Sequence, residues 1–340
     1  MTSQRRILVA GASGVVGRAA LAHFAAQPGW DAVGISRRAP TGVDAPHLSV
    51  DLSDKDATLE ALGSVPPISH LVFAALFEKP GLLAGWLAED QMAQNLALLR
   101  NCLYGLAAHP LEHVSLLQGT KAYGAHVRPM RIPGRERDPR VEHPNFYWLQ
   151  EDLLRARAAE AGWSFTIWRP PVIFGHAVGA PMNVLAVLGV YAAICRESGE
   201  AFAFPGGACG PLDGVDARLL AEGFSWAVDA DSARNGTFNI TNGDVFRWPD
   251  LWPALADAFG VPTGPPRPRA LEGWLKDRAE LWDRIRTRHD LEAPALRAFL
   301  GDSLVYADML LGHGRERAPP ATLLSTIAIR QAGFASCADT

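Results

Sequence analysis

Three glycines at intervals of three residues, Gly11, Gly14 and Gly17, follow the short apolar run Ile7-Leu8-Val9-Ala10 and open at once into helical apolar spacing. Residues of that type and spacing can hold a pyrophosphate. Gly11 permits a tight turn, and Gly14 admits a ligand close to the backbone beside Ser13, Val15 and Val16. Gly17 lets the helix pack closely, and the first helical N–H groups are left facing an anion. A glycine triplet alone also marks an ordinary tight turn, so its meaning depends on the next strand. At the end of that second apolar run the chain reads Ser36-Arg37-Arg38. A site for an unphosphorylated ribose would want Asp or Glu there, whereas two guanidiniums suit a 2′-phosphate that an acid would repel. The ligand implied is NADPH or NADP+; the bland alternative is a solvated basic turn.

These groups converge only if the right elements carry them. Ile7 to Ala10 reads as a buried parallel strand, Val15 to Gln27 as a helix stopped by Pro28-Gly29, and Asp31 to Ile35 as the second strand of a βαβ unit. A third strand, His47 to Val50, leads into Asp51-Leu52-Ser53-Asp54, where Ser53 or Asp54 caps a short helix through Leu62. Asp51 either reaches an adenine or helps to begin that helix. Ser69 to Ala75 makes a fourth strand, with Ala74 and Ala75 leaving room for a cofactor, and a long helix is expected from about Leu82 to His109. The asparagines within it, Asn95 and Asn101, are expected to face solvent or bond locally. Strand five, His113 to Gln118, delivers Gly119-Thr120-Lys121 to the carboxyl edge, where ligands of open α/β sheets gather. Residues 125–144 carry five arginines against three acids and read as solvated surface, or else as a lid for an acidic substrate. Helical spacing resumes at Asn145-Phe146-Tyr147-Trp148, and strand six, Ser164 to Trp168, ends in Arg169-Pro170-Pro171-Val172-Ile173.

The expected class is α/β, a Rossmann-type doubly wound parallel sheet with a smaller, mostly helical C-terminal lobe. Residues 1–180 and a returning segment 213–245 would form the dinucleotide-binding part, and 181–212 with 246–340 the substrate lobe. With 340 residues, 48% of them hydrophobic and 20% charged, and a net charge of −4, the chain can bury one sizeable core and presents no electrostatic case for nucleic acid. The start Met1-Thr2-Ser3-Gln4 shows no cleavable apolar segment and no stretch reaches the roughly 20 apolar residues of a spanning helix, so a cytoplasmic protein without a membrane partner is expected. Four scattered cysteines and ten histidines without ligand spacing indicate neither a disulfide framework nor a metal.

The glycine turn, Ser36-Arg37-Arg38-Ala39-Pro40, Gly119-Thr120-Lys121, Asn145-Phe146-Tyr147 and Arg169-Pro170-Pro171-Val172-Ile173-Phe174-Gly175 together resemble the progesterone 5β-reductase/iridoid synthase-like branch of the extended short-chain dehydrogenases. Short-chain dehydrogenases commonly carry Tyr-x-x-x-Lys, but Glu151 stands four residues after Tyr147, and the separated Lys121 and Tyr147 are the most specific mark of the branch. The resemblance implies NADPH-dependent reduction of activated carbon–carbon double bonds. Tyr147 would stand beside the substrate oxygen, with Lys121 as its cationic neighbour favouring the ionised phenol. It implies a cofactor site reaching from the glycine turn through Ser36, Arg37, Arg38, Asp51, Leu52, Ala74, Ala75, Gln118, Gly119, Lys121 and Tyr147 to Pro170, Val172, Ile173 and Met182. Leu76, Tyr123, Trp148 and Asn183 would surround the substrate, an enone or related carbonyl compound, and a homodimer is allowed. Ala75-Leu76 where many members have Thr-Trp, Trp148 for a second tyrosine, and Gln118 for a hydroxyl residue put the pocket's specificity in doubt. Carbonyl reduction or epimerisation on the same scaffold, and a non-catalytic NADP-sensing regulator, remain the alternatives.

Overall fold

In the computed structural model, which describes residues 5–340, seven parallel strands form one sheet. Met1–Gln4, expected to lead without an apolar segment into the first strand, lie outside the described residues. The strands are β1 (Arg5–Ala10), β2 (Trp30–Ser36), β3 (His47–Ser49), β4 (His70–Phe73), β5 (His113–Leu117), β6 (Ser164–Arg169) and, beyond the short pieces named below, β10 (Gly236–Asn239). Their order is β10-β6-β5-β4-β1-β2-β3, so the direction of winding reverses between β1 and β4. A ligand crevice is expected at that switch.

Strand β1 is buried on both faces, as a central parallel strand must be. Ile7 and Val9 pack under α1 (Val15–Ala25), while Leu8 and Ala10 pack under α2 (Lys55–Gly63), α3 (Glu89–Gly105) and α4 (Phe146–Ala161). A second apolar core gathers α5 (Val184–Ser198) around Tyr191, with β8 (Phe202–Ala203) supplying Phe202, which stacks on Trp252 at 4.5 Å. Between them β7 (Val172–Phe174) pairs in parallel with β9 (Gly214–Asp216), and α6 (Ala217–Asp229) returns to pack beside α1. The remaining elements are α7 (Trp248–Phe259), β11 (Thr263–Gly264), α8 (Leu271–Lys276), α9 (Ala279–Arg288), α10 (Leu296–Leu300), α11 (Ser303–Leu310) and α12 (Ile327–Gln331).

Three expectations are corrected. The helix expected from Leu82 to His109 is broken: a 3-10 turn, Leu82–Leu87, precedes α3, and Ala88 between them has extended backbone. Asn95 and Asn101 are buried; Asn95 Nδ2 does bond locally, to Gln91 O at 3.0 Å, but both asparagines also reach other segments: the Asn95 amide pairs with both the N–H and the C=O of Phe77 at 2.9 Å, and Asn101 Nδ2 donates to Leu52 O at 2.9 Å. The segment 246–340 is not all one lobe, because Ile329 of α12 and Phe334 are buried with α1 and α6 against the main sheet. No helix among the described residues is long and apolar enough to cross a membrane.

Candidate active site

The turn after β1 brings the backbone of residues 11–17 against β4. Gly11 has a positive φ of 82°, and a Cβ there would lie 2.7 Å from the carbonyl of Ala74, so only glycine fits. A Cβ on Gly17 would lie 2.1 Å from the Gly11 oxygen. Gly17 thus supports the turn from behind and does not line the cleft, a correction to its place among the ligand contacts. Gly14 is the N-cap of α1, and no side chain caps that end. The uncapped helix start opens on a cleft of about 410 Å³ lined by Gly11, Ser13, Gly14, Val15, Val16, Ser36, Arg37, Arg38, Asp51, Leu52, Ala74 and Ala75, all of them expected from sequence.

The basic end of the cleft is unpaired. Arg37 and Arg38 are exposed and enter no ion pair among the described residues; Arg38 Nη2 only approaches Val178 O at 3.5 Å. Ser36 is committed, its hydroxyl donating to Arg38 O at 2.7 Å and standing 2.9 Å from His47 Nε2. Asp54 caps α2. Asp51 accepts from the backbone N–H and hydroxyl of Ser53; burial pushes its carboxyl up, but those bonds and Arg37 outweigh it and hold the group below its ordinary value. A glycine cradle and an uncapped helix start fit the pyrophosphate of a dinucleotide, with two guanidiniums outside any ion pair at the cleft's other end.

At its far end the cleft meets a second cavity of about 830 Å³, and Leu76, Leu117, Gln118, Tyr147, Ile173 and Met182 line both. Tyr147 sits at this junction because Asn145 ends the preceding loop: its Oδ1 accepts from Tyr147 N at 3.0 Å, and its Nδ2 donates to Lys121 O at 2.9 Å. One side chain therefore fixes both the helix start and the turn that carries the lysine. The absence of a side chain on Gly119 makes room for the phenol, since a Cβ there would lie 3.3 Å from Tyr147 Oη. Lys121, Pro170 and Val172 line only the larger cavity.

The electrostatics differ from expectation. Burial first, then the negative charge of Glu78, then Tyr306, raise the Tyr147 phenol above its ordinary value, so it is a neutral donor at neutral pH. Lys121 does not favour the phenolate as expected, because its charge is directed elsewhere. The Lys121 ammonium donates to Glu78 Oε1 at 3.3 Å and lies 3.9 Å from the centre of the Trp86 ring. Burial lowers its pKa and Glu78 opposes that shift. Glu78, whose side chain is 1% exposed, and Tyr306 of α11 are site residues that sequence reasoning missed.

Three more expectations change. Tyr123 is buried away from both cavities, its hydroxyl donating to Asn239 Oδ1 at 2.5 Å. Trp148 also lines neither cavity and lies between Arg140 and Arg169, at 4.7 and 5.4 Å from its ring. Asn183 is 2% exposed and caps α5, while its Nδ2 donates to Ala177 O at 3.2 Å. Leu76 alone of the four expected substrate neighbours faces the cavities. Gln118 lines both, but its amide is committed: Nε2 donates to Tyr147 O and Glu151 Oε2, and Oε1 accepts from Arg169 Nε at 2.9 Å. Glu151, standing where a lysine was sought, is buried and bonds Arg155 and Arg169 as well.

The loop 125–144 is fastened to the fold. Gly134 bridges Leu324, Glu136 accepts from Asn239 N at 2.8 Å, and Arg140 pairs with Glu151 and Asp152. Its first residues, Ala125 to Met130, form part of the larger cavity's wall.

Residues 7–241 match the model of the NAD dependent epimerase/dehydratase family. The chain is 32% identical over 322 residues to a (S)-8-oxocitronellyl enol synthase of Antirrhinum majus, covering 87% of this chain and 80% of that protein. It is 33% identical over 307 residues to one of Nepeta racemosa, covering 84% and 76%. Among solved structures, the Bordetella bronchiseptica enzyme WbmG in complex with NAD and UDP superposes with a TM-score of 0.63 over 99% of this chain and 91% of that one, at 16% identity. A UDP-glucose 4-epimerase of Thermotoga maritima does so at 0.60, over 78% and 86%, with 18% identity. At such identities the structures speak for the fold alone, whereas the sequence matches reach further. The chain belongs to the NAD dependent epimerase/dehydratase family and, within it, to the progesterone 5β-reductase/iridoid synthase-like branch of oxidoreductases.

Proposed function

We propose that the protein reduces activated carbon–carbon double bonds with NADPH, adding hydride to the β-carbon of an enone or enal. The observation that carries this reading is the half-buried Tyr147 side chain at the junction of a glycine-floored cleft and a mostly apolar cavity, both of which it lines. Arg37 and Arg38 would hold the 2′-phosphate, and residues 11–16 the pyrophosphate. The cofactor supplies the hydride. Negative charge then accumulates on the substrate oxygen, and Tyr147 stabilises the enolate by donating a hydrogen bond in a site screened from water. The α-carbon takes its proton from solvent. Leu76, Ile173, Met182 and Tyr306 are the side chains that exclude water around the acceptor. Incubation with NADPH and a panel of activated enones should consume NADPH and yield saturated carbonyl compounds. Tight NADPH binding with no oxidation across the panel would replace the enzyme by a sensor.

Lys121 is an assisting residue in this scheme, and its pairing dictates how it must be tested. Lys121→Met leaves the buried Glu78 carboxylate without its cation, a loss on the order of 3 kcal/mol in stability. Adding Glu78→Gln should recover most of that in thermal melts. Turnover that stays low in the double variant at saturating NADPH assigns Lys121 a part in the reaction; turnover restored with stability makes the lysine structural.

A further inference from the structure

The wall of the larger cavity is uneven in charge. Three cations, Lys121, Arg128 and Arg315, line it, and no Asp or Glu does, although acids outnumber bases by 36 to 32 in the whole chain. Lys121 is already balanced by Glu78 behind it. His126 is held neutral, burial above all and then His143 and Lys121 pushing it down to about 4. The uncompensated charge is therefore that of Arg128 and Arg315, both exposed and neither in an ion pair or side-chain hydrogen bond among the described residues.

The two guanidiniums also stand on ordered backbone from distant parts of the chain. Arg128 N donates to Gly124 O at 3.0 Å. Arg315 N donates to Gly312 O at 3.0 Å, and its carbonyl accepts from Ala208 N at 3.0 Å. Apolar side chains, among them Leu83, Leu87, Met130, Met309 and Leu310, complete the wall. Leu83 and Leu87, 46% and 51% exposed, leave apolar surface on that wall for an apolar body to cover.

Resting on the reading of this cavity as the substrate site, we propose that the substrate is an amphiphilic anion, an enone whose apolar body ends in a carboxylate or phosphate held by Arg128 and Arg315. The enone lies at Tyr147 and the anionic end where the cavity opens to solvent, so the arginines act without full desolvation and discriminate by charge.

Binding and chemistry are tested separately. Calorimetry with the protein alone would compare a saturated medium-chain keto acid, the matching phosphate monoester and the neutral methyl ester of the acid. An anion should bind about tenfold or more tightly than the ester, and more weakly as salt is added. The Arg128→Gln/Arg315→Gln variant, which retains Arg37 and Arg38, should bring the anions down to the ester's affinity, and Arg128→Lys/Arg315→Lys should keep part of the difference. Whichever of carboxylate and phosphate binds better names the terminal group. Equal affinity of anions and ester in the wild type, or a preference that survives in the glutamine variant, overturns the proposal. If the preference holds but no unsaturated keto acid is reduced, the anion site stands and the enone reading fails; if neutral enones are reduced with no preference for acids, the reverse is true.

Discussion

In paired titrations the wild-type protein is expected to bind NADPH about 10- to 100-fold more tightly than NADH, and the Arg37→Ala/Arg38→Ala variant to bind the two almost alike. A charge-assisted bond to phosphate contributes roughly 1.5–3 kcal/mol, but both guanidiniums are exposed, so salt screens part of that and the lower half of the range applies near physiological ionic strength. The structure sharpens the expectation in one respect. Neither arginine enters an ion pair among the described residues, and the one carboxylate that feels them, Asp51 beside Arg37, keeps its bonds to Ser53, so the double variant should melt only slightly below the wild type and the loss should fall mainly on binding. Equal affinities in the wild type would end the assignment of these residues to a 2′-phosphate.

Tyr147→Phe is expected to have the second large effect, and its size should depend on the substrate. If hydride went to a carbonyl carbon, the alkoxide would need a proton in the same event, and losing the acid would cost roughly 10²–10⁴-fold for every substrate. In conjugate addition the oxygen need only be stabilised, so the loss should shrink as electron-withdrawing groups make the enolate less basic. The phenol's raised pKa fixes the sign of the pH dependence: the neutral, donating form persists to pH values above the ordinary tyrosine range, so its ionisation should not lower the rate between pH 6 and 9. A rate that instead rises through a tyrosine ionisation would mean that the phenolate is the working form.

What could be read from the chain was local. The turn after β1 depends on residues within a dozen positions of one another, and helical spacing that resumes at Asn145 puts Tyr147 in the first turn of a helix, as the structure has it. What escaped depends on partners far away in sequence. Glu78 looks like one acid in a polar stretch, and only the fold brings it to Lys121, 43 residues on. Tyr123 seems well placed beside Lys121, but a 3-10 turn swings it toward Asn239, 116 residues away. The run 82–109 has helical composition, yet Gly81 with φ 83° and the bonds from Gln91 and Asn95 back to residues 77–79 break it at Ala88. Propensity yields there to a buried amide that completes otherwise unpaired backbone.

The central claim is the carbon that receives hydride, and one measurement reads it directly. With NADPH deuterated at the transferable position and an activated enone, mass spectrometry and NMR of the product should place deuterium on the β-carbon of a saturated ketone or aldehyde. Deuterium on the carbinol carbon of an allylic alcohol would contradict conjugate reduction and make the protein a carbonyl reductase on the same scaffold.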